Sequence, residues 1–475
     1  MRFRKIILEN NPVFWPKVEF DFTKSDWTIY DNILLIGENG SWKSTLLDII
    51  FQFSNYWPLA EHSDDEKRYF EIEFSNDELH VIAQWITSLR TSNIIGFEFD
   101  LSKWSWAQIK LNINWVIDDN SSPLSQYAKI FKSIYSTTEI NFNWTIPSSS
   151  TNKEVDEILN TSKKSSHDLA TEISQLLIDI SVQDNSDDKE FMKANAGKVL
   201  DLNNIDKRTK RFQNAFSIIF DYLTYHWINK LQPEFRKWIN RFSINKLSSW
   251  EKQIVFRWWF LLKDQNSLNW ATVLIDEPEI SLHPSRQLNI LDYYRAIFTD
   301  PTNKTQTSQL FFTTHSPYVL KSFNSDEYKV FIFSRDETSQ KVNIQDHNQL
   351  WKLYWTPTWW EINRYAYWLP TVEFHDELFW YLHDKYISLA SDQNDANLRS
   401  SQNNFEDNYL NKQTGLLKNK SWTREYWWIA SISKPVTLQT FIRNKVHHPE
   451  NTTMQSQDFT IEELKQSIKG MISLI

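Results

Sequence analysis

The residues best suited to chemistry form a loop of small and polar side chains after a short apolar run. The run Ile33–Ile36 is followed by Gly37, Glu38, Asn39, Gly40, Ser41, Trp42, Lys43, Ser44 and Thr45. This matches the phosphate-loop pattern G-x-x-x-x-G-K-[ST] everywhere except at Trp42, which replaces the second glycine. In such a loop the backbone N–H groups converge on phosphate oxygens at a helix N-terminus. The spacing therefore predicts a phosphate-binding site.

Two side chains of this loop are suited to binding phosphate and Mg²⁺, and a third would obstruct the phosphate. We expect Lys43 to neutralise β- and γ-phosphate charge and Ser44 to ligate Mg²⁺. The residue before the lysine must let the backbone approach the phosphate, and only glycine has no side chain in the way. We therefore predict that the Trp42 indole fills the place of the nucleotide phosphates. The chain as written should bind ATP poorly and not hydrolyse it.

The same replacement of glycine by tryptophan recurs later in the chain. The segment Leu247-Ser248-Ser249-Trp250-Glu251-Lys252-Gln253 resembles the L-S-S-G-E-K-Q signature of ABC-type ATPases, with Trp250 in place of glycine. The composition extends the pattern, because the 475 residues include 6 Gly and 24 Trp. An average glycine content of roughly 7% would give about 33. We interpret many of these tryptophans as glycines of the natural protein, since UGA is read as Trp in some genetic codes and as Gly in others. The alternative is a tryptophan-rich, degenerate ATPase.

Acidic residues and a histidine follow two further apolar runs. The run Ala271–Ile275 ends in Asp276 and Glu277, and the run Gln309–Thr314 ends in His315. Because Mg²⁺ takes one or two carboxylates plus waters, Asp276 is predicted to hold it. Glu277 is predicted to polarise the attacking water. Apolar strands that alternate with helices imply a parallel sheet with its ligands at the carboxyl ends of the strands.

The order of these motifs resembles the ABC-type heads of SMC-like, OLD-like and related AAA-family defence ATPases. The resemblance covers residues 1–60 and 246–335. It implies that His315 contacts the γ-phosphate. It also implies that Ser248, Ser249, Trp250 and Glu251 bind the nucleotide of a second subunit, so that ATP is sandwiched in a homodimer.

Two further features belong to this resemblance. A lid-loop glutamine should contact Mg²⁺, and the candidates are Gln52, Gln84 and Gln108. The segment Glu279–Pro284 resembles the family's D-loop. Many transporter-type heads have Asp at the position of His283, so the histidine resembles the non-transporter branch of the family.

The predicted fold class is α/β, with an ABC-type P-loop ATPase core, a largely helical insertion and a mainly helical C-terminal module. Residues 1–116 and 246–339 are assigned to the two parts of the core. Residues 117–245 are assigned to the insertion, with a helical stretch over Phe212–Trp238, and residues 340–475 to the C-terminal module. Short strands are expected at Tyr69–Phe74, Ile94–Phe99 and Ile109–Ile113.

Bulk properties exclude several classes of protein. Cysteine is absent, which excludes disulfides, thiol catalysis and Cys-ligated zinc and fits a reducing cytoplasm. The formal net charge of −9 argues against extended duplex-DNA binding, although a local nucleic-acid site stays open. No apolar run approaches the roughly 20 residues of a membrane span, and the N-terminus lacks a signal-peptide pattern. We therefore expect a cytoplasmic protein without a membrane partner.

The C-terminal module contains a second group of residues suited to catalysis. Arg443, Asn444 and His448 resemble the R-x4-6-H motif of HEPN ribonucleases. RNA cleavage by the 2′-OH needs a general base or acid, which histidine supplies, and a cation on the phosphorane, which arginine supplies. The alternative is a capped helix end, since Pro449 follows directly. The nearby acidic segment Glu373–Glu377 is interpreted as a helix start rather than a metal site.

Three functions remain open from the sequence. The first is an ATP-driven dimeric switch in bacterial antiphage defence. The second is a toxin ribonuclease gated by the ATPase heads. The third is an SMC-like DNA-maintenance ATPase that uses the insertion as an arm.

Overall fold

The protein divides into two compact units, Met1–His347 and Asn348–Ile475. The computed structural model describes residues 1–38, 40–54, 65–83, 93–101, 108–113, 116–118, 131–138, 177–180, 182, 186, 192–194, 216–217, 219–220, 222–229, 232–257, 269–299, 304–322, 324, 326–335, 342–346, 358–367, 369–425 and 432–475.

A six-stranded, mostly parallel sheet forms the centre of the first unit. Its strands are β3 (Asn32–Gly37), β8 (Ser133–Ser136), β12 (Thr272–Asp276), β13 (Gln309–Thr314), β14 (Tyr328–Arg335) and β15 (Val342–Asp346). They lie in the order β15-β14-β3-β13-β12-β8. All neighbours pair in parallel except β15, which is antiparallel to β14. The predicted parallel sheet is confirmed.

A second six-stranded sheet is antiparallel. Its strands are β1 (Arg2–Glu9), β2 (Lys17–Asp21), β4 (Lys67–Glu73), β5 (Ile94–Asp100), β6 (Gln108–Ile113) and β7 (Val116–Asp118). Their order is β2-β1-β4-β5-β6-β7. The short strands expected between residues 69 and 113 are thus confirmed as β4, β5 and β6.

An aromatic core joins the two sheets. Phe20 lies 5.3 Å from Phe331, and Phe22 lies 5.3 Å from Phe311, measured between ring centroids. Each pair takes one ring from near the antiparallel sheet and one from the parallel sheet, in the edge-to-face arrangement that aromatic quadrupoles favour. These rings are buried in one continuous apolar cluster with residues of the helix that follows β3. The cluster fixes the parallel strands, and with them the residues at their ends.

Helices connect the strands of the first unit. Those whose bounds are described include α1 (Lys43–Ser54), α2 (Asn76–Ala83), α3 (Ser249–Arg257), α4 (Pro284–Gln287) and α5 (Ile290–Ile297). Helix α1 starts at the end of the phosphate-loop segment, as the sequence predicts. Its buried residues include Leu46, Leu47 and Ile50, which pack into the same apolar cluster.

The predicted helix over Phe212–Trp238 is wrong in its second half. The described residues there form β9 (Leu223–Asn229) and β10 (Gln232–Lys237), which pair with β11 (Asn240–Ser243) in an antiparallel sheet. Tyr225 and Phe235 are buried and face each other across β9 and β10. Aromatic and β-branched residues fit a half-buried sheet surface, and this cross-strand packing outweighs the helical pattern.

The second unit is mainly helical, as predicted. Its elements are α6 (Trp359–Tyr367), α7 (Val372–Ser388), α8 (Gln393–Arg399), α9 (Gln402–Asn408), β16 (Lys420–Arg424), β17 (Ile432–Val436), α10 (Leu438–His447) and α11 (Ile461–Ile472). Strands β16 and β17 form an antiparallel pair. The core of this unit combines buried residues of α7, α10 and α11, among them Leu382, Phe441 and Ile468.

Tryptophan occupies backbone positions that favour glycine. Within the described part of the chain, Trp27, Trp42, Trp238 and Trp270 have positive φ, at 68°, 64°, 51° and 61°. This region is sterically unfavourable for residues with a Cβ and is populated mainly by glycine. Their conformations support the interpretation that these positions are glycines in the natural protein. Trp250 lies inside α3 without a positive φ, so its conformation adds no support.

The turn at Trp238 shows the physical reason most clearly. Trp238 and Ile239 form a two-residue loop between β10 and β11, since Lys237 pairs with Asn240. A positive φ at the first residue of such a loop is the geometry that glycine dominates. The indole is 74% exposed, so little packing compensates for the backbone strain.

We expect Trp238→Gly to stabilise the first unit by about 1 kcal/mol, because it removes the left-handed backbone strain. The measurement is urea unfolding of the full-length chain. The matched control is Ile239→Gly at the next turn position, which should lose roughly 0.5–1 kcal/mol through added chain entropy. Equal changes in the free energy of unfolding for the two variants would contradict the assignment.

Candidate functional site

The carboxyl ends of four neighbouring strands bring the predicted site residues to one edge of the parallel sheet. The strands β3, β13, β12 and β8 are adjacent in that order. They end at Gly37, Thr314, Asp276 and Ser136. Ligands of open α/β sheets bind at this edge. The topology therefore places the phosphate loop beside the acidic strand end, although the two are far apart in sequence.

The start of the phosphate loop requires glycine. Gly37 has φ +146°, and a Cβ built there would lie 2.1 Å from the carbonyl oxygen of Phe333. Gly40 also has a positive φ of 75°. Trp42 shares this conformation and its side chain is half exposed. Asn39 lies outside the described residues. The predicted displacement of phosphate by the Trp42 indole stays a prediction.

The Lys43 ammonium group lies inside its own loop. Its Nζ donates to the carbonyl oxygens of Gly37 and Glu38, both at 2.9 Å, and to Ser41 Oγ at 3.2 Å. Burial lowers the pKa of Lys43, while the carboxylates around it act in the opposite direction. An ammonium has three N–H donors, and the loop accepts all of them. Lys43 must exchange some of these bonds to contact a phosphate.

Asp276 is buried and accepts hydrogen bonds from three hydroxyl groups. Ser44 Oγ donates to its Oδ1 at 2.9 Å, and Thr313 Oγ1 donates to the same oxygen. Thr138 Oγ1 donates to Oδ2 at 2.6 Å. The predicted magnesium ligands Ser44 and Asp276 are therefore in direct contact. A hydroxyl beside a carboxylate is an oxygen donor set that suits Mg²⁺. Thr45 follows on α1, and its N–H donates to the Trp42 carbonyl.

Glu277 has the strained backbone typical of a functional position. Its φ is +47°, which is uncommon for a residue with a side chain. The conformation is held by its N–H, which donates to the carbonyl oxygen of Thr313 at 3.2 Å and to Thr313 Oγ1 at 3.0 Å. Backbone strain of this kind is common at active sites, and it persists because the surrounding structure holds the residue in place. The bend carries the chain away from the strand directly after Asp276.

Glu277 and His315 form an ion pair. His315 Nδ1 lies 3.2 Å from Glu277 Oε1 and 3.8 Å from Glu279 Oε1. The contact with His315 lowers the pKa of Glu277, and the contact with Glu277 raises the pKa of His315. The structure thus brings together the two residues predicted to be catalytic. Glu277 stays ionised near neutral pH, which a base that polarises water requires.

Glu279 contacts the residue that carries this pair's imidazole. No catalytic role was predicted for Glu279 from the sequence. Its buried Oε1 accepts from Thr314 Oγ1 at 2.6 Å and from the His315 N–H at 3.0 Å. Burial raises the pKa of this carboxyl. Glu279 therefore fixes the backbone that carries His315. Its signals in the sequence are its position three residues after Asp276 and at the start of the segment Glu279–Pro284 that resembles a D-loop.

The signature segment starts α3, but its residues differ in exposure. Ser248 and Ser249 are exposed, and the Ser248 N–H donates to Glu251 Oε2. Trp250 packs 5.1 Å from the Phe220 ring, and the Arg286 guanidinium lies 4.6 Å from the Trp250 ring centroid. Nucleotide binding by these residues stays a prediction.

Glu251 is buried and its carboxylate is fully engaged within the chain. It accepts from Lys237 Nζ at 2.8 Å, from the Ser248 N–H at 2.7 Å and from the Tyr222 hydroxyl at 3.0 Å. These contacts cap the start of α3 and tie it to the three-stranded sheet. They give Glu251 a structural role, and its predicted contact with nucleotide remains untested.

Gln52 on α1 is the one candidate lid-loop glutamine with a described side chain, since Gln84 is outside the described residues and the side chain of Gln108 on β6 is not described. The lid-loop contact stays a prediction. Thr138, which follows β8, contacts Asp276. Thr138 was not among the residues predicted from the sequence. The available signal was a short apolar strand followed by Thr137-Thr138 between the phosphate loop and the acidic strand end.

The C-terminal residues Asn444 and His448 line one cavity of about 510 Å³. Its lining is Ser401, Gln402, Asn403, Trp422, Arg424, Glu425, Asn444, His448, Glu450 and Asn451. Arg443 is not among these residues. Its Nη1 donates to Asn444 Oδ1 at 3.0 Å, and its guanidinium lies 5.5 Å from the Trp380 ring centroid. The structure thus brings two of the three predicted ribonuclease residues to the same cavity.

The two neighbouring histidines at the end of α10 have different partners. His448 Nδ1 lies 3.2 Å from Glu450 Oε1 at the exposed helix end. His447 Nε2 lies 2.5 Å from Asp376 Oδ2 on α7. His447 was not predicted as a functional residue, because the R-x4-6-H spacing fits His448.

The acidic segment near Glu373 is a helix start, as interpreted from sequence. Thr371 caps α7 by accepting from the Phe374 N–H. His375 is fully buried, its Nε2 lies 2.9 Å from Ser467 Oγ, and burial lowers its pKa to about 3. Among the residues that the structure describes, no group of three or more His, Asp or Glu side chains is arranged to hold a metal. In the same portion of the chain, every helix is too short or too polar to cross a membrane.

A sequence profile for a family described as "AAA domain, putative AbiEii toxin, Type IV TA system" matches residues 33–321 of this chain. The matched segment contains the phosphate loop, the signature and both strand ends that carry Asp276 and His315. No curated protein gives a match.

Solved structures similar to the chain include two SMC heads. One is described as "the SmcHead bound to the C-winged helix domain of ScpA". It is 12% identical, with 73% of this chain and 98% of that chain covered and a TM-score of 0.44. The other is the SMC head domain from Thermotoga maritima, also 12% identical, with 73% and 99% covered and a TM-score of 0.37.

The ion pair predicts a pH window for its contribution to stability. The raised pKa of His315 means that its contribution is present below the unfolded value of 6.5 and is lost as pH rises through the folded pKa. The lowered pKa of Glu277 means that its contribution is present above 4.5 and is lost as pH falls through the folded pKa. The pair should therefore stabilise the protein between these two folded pKa values.

Titration of the His315 imidazole by NMR is the measurement. Its midpoint should lie above 6.5 in the unmodified chain and fall in Glu277→Gln. The control is Glu327→Gln, which removes a carboxylate that pairs with Arg295 and should leave the His315 midpoint unchanged. A midpoint that does not respond to Glu277→Gln would show that the pair is not formed in solution.

Proposed function

The chain belongs to this family of AAA domains, and we propose that it binds ATP with Mg²⁺, hydrolyses the ATP and acts as a nucleotide-driven switch. The family assignment agrees with the prediction made from the motifs.

One observation carries the proposal of hydrolysis. Asp276 and Glu277 are consecutive, yet their side chains have separate environments. The Asp276 carboxylate is enclosed by the hydroxyls of Ser44, Thr138 and Thr313. The positive φ of Glu277 places the next carboxylate against His315 instead. The arrangement supports one carboxylate for the metal and a second, ionised carboxylate for the attacking water.

The remaining residues have roles that follow from their chemistry. Ser44 and Asp276 would hold Mg²⁺, which supplies a positive charge beside the phosphates when it is bound. Lys43 would leave one or more of its loop acceptors and donate to phosphate oxygens. Glu277 accepts a proton from water, and His315 fixes the orientation of the Glu277 carboxylate. In its protonated form, His315 also supplies a donor toward the γ-phosphate.

The proposed switch is a homodimer. Ser248 and Ser249 are exposed at the start of α3, where the positive end of the helix dipole favours a phosphate. Two heads would then close on ATP bound between them and open after hydrolysis. We place this switch in the bacterial cytoplasm and in antiphage defence, a role compatible with the toxin named in the family description.

We expect the chain as written to bind ATP at least tenfold more weakly than its Trp42→Gly, Trp250→Gly counterpart, and to show no turnover. The physical reason is that loop N–H groups hold a phosphate only at about 2.7–3.2 Å, which an indole beside the loop obstructs. The measurement is a nucleotide titration of both full-length proteins with Mg²⁺, followed by phosphate release.

Two variants in the glycine background test the assigned roles. Glu277→Gln should retain ATP binding, hydrolyse it at least 100-fold more slowly, and accumulate as a dimer. Lys43→Ala should lose ATP binding itself. Normal turnover by Glu277→Gln would remove Glu277 from its role. Equal affinity and turnover in the tryptophan and glycine proteins would refute the steric argument.

RNA cleavage by the second unit is the second candidate function, and the shared cavity of Asn444 and His448 favours it. Carboxamides offer donors and acceptors to base edges, and the cavity also contains Arg424. His448 is exposed at the end of α10, where it can exchange protons with a ligand.

We expect His448→Ala to reduce cleavage of single-stranded RNA by about 100-fold or more, since general acid–base catalysis contributes factors of this size. The matched control is His447→Ala, which removes the adjacent histidine that pairs with Asp376. Cleavage by the intact protein is measured by gel electrophoresis of labelled RNA. If His447→Ala alone is inactive, the assigned histidine is wrong. If the intact chain does not cleave RNA with or without ATP, the ribonuclease proposal is rejected.

A further inference from the structure

We propose that Thr138 is a positioning residue of the Mg²⁺ site. The inference rests on the proposed ATP hydrolysis and adds a residue to it. Thr138 acts through Asp276, because its hydroxyl binds the carboxylate oxygen that Ser44 and Thr313 leave free.

The sheet topology explains why Thr138 reaches Asp276. Strand β8 is the neighbour of β12 on the side opposite β13. Ser136 at the end of β8 pairs with Ile275, the residue before Asp276. The chain therefore passes the carboxylate directly after β8, and the hydroxyl of Thr138 approaches from the edge of the sheet. Thr313 and Ser44 approach from β13 and α1.

The two carboxylate oxygens consequently have different surroundings. Oδ1 accepts from both Ser44 and Thr313, and it lies beside the hydroxyl predicted to ligate Mg²⁺. Oδ2 accepts from Thr138 at 2.6 Å. The terminal torsion of an aspartate is soft, so a bond at each oxygen is needed to fix the plane of the carboxylate. Within the described residues, no glutamine donates to Asp276.

The hydroxyl of Thr138 therefore determines how Asp276 is presented to the metal, while the phosphate contacts come from other residues. Removing it leaves a buried carboxylate oxygen without a partner and frees the carboxylate to rotate. Residues that orient a metal ligand in this way commonly change metal affinity by about 10–100-fold when they are replaced. Metal dependence should change much more than nucleotide affinity.

The test uses the full-length chain with Trp42→Gly and Trp250→Gly as its reference, because Trp42 is expected to hinder nucleotide binding. Thr138→Val should raise the Mg²⁺ concentration for half-maximal ATP hydrolysis by about tenfold or more, and it should raise by a similar factor the Kd for Mg²⁺ in calorimetric titrations with a non-hydrolysable ATP analogue. At saturating Mg²⁺ the KM for ATP should stay within about twofold, while kcat falls. Thr138→Ser keeps the hydroxyl and should restore the Mg²⁺ dependence to within about threefold of the reference.

Thr224→Val is the control, since Thr224 is an exposed threonine on β9. Its Mg²⁺ dependence should equal that of the reference. Thermal midpoints of all variants report whether they are folded. An unchanged Mg²⁺ dependence and kcat in folded Thr138→Val would overturn the role of Thr138 while leaving ATP hydrolysis intact. A failure of Thr138→Ser to restore the Mg²⁺ dependence would also overturn it. A reference that neither binds nor hydrolyses ATP would overturn the proposed function, and the Thr138 inference with it.

Discussion

A buried carboxylate must have hydrogen-bond partners, and the arrangement of the first unit around Asp276 meets this constraint. Isolated burial of a carboxylate is costly, so each oxygen needs donors at short range. The donors come from Ser44, Thr138 and Thr313, which lie at the ends of three different chain segments. The sheet in which β3, β13, β12 and β8 run parallel and adjacent brings these ends together. The aromatic cluster between the two sheets supplies the apolar burial that holds those strands in place.

Backbone conformation separates the chemistry of Asp276 from that of Glu277. A regular strand would continue past Asp276 and send Glu277 to the opposite face of the sheet. The positive φ of Glu277 ends the strand, and Thr313 stabilises the bend through both its carbonyl and its hydroxyl. Thr313 therefore connects the two functions, since the same hydroxyl also donates to Asp276. Trp27, Trp42, Trp238 and Trp270 also have positive φ. Glycine populates this conformation more readily than any residue with a side chain, and we interpret these positions as glycines of the natural protein.

The second unit has its own core and its own polar cavity. The residues of the predicted ribonuclease motif are divided between two environments, although they are close in sequence. Asn444 and His448 line the cavity, whereas Arg443 is buried beside Trp380 and binds Asn444. Asn444 therefore links the buried arginine to the cavity. His447 is held by Asp376, which fixes α10 against α7 rather than leaving this imidazole free.

The sequence by itself determined the strand-to-helix turn at Gly37–Lys43, the strand ends at Asp276 and His315, the parallel sheet and the helical nature of the C-terminal unit. These features depend on local patterns, namely apolar runs, glycine and lysine spacing, and carboxylates directly after a strand. Tertiary structure decided what depends on contacts between distant segments. It placed Thr138 on Asp276, buried Glu251 as a helix cap and Glu279 beneath His315. It also converted the expected helix before Trp238 into strands, because cross-strand packing of Tyr225 and Phe235 outweighs local helical periodicity. Residue type and spacing do not identify such partners, because these side chains come within hydrogen-bond distance only when the sheet forms.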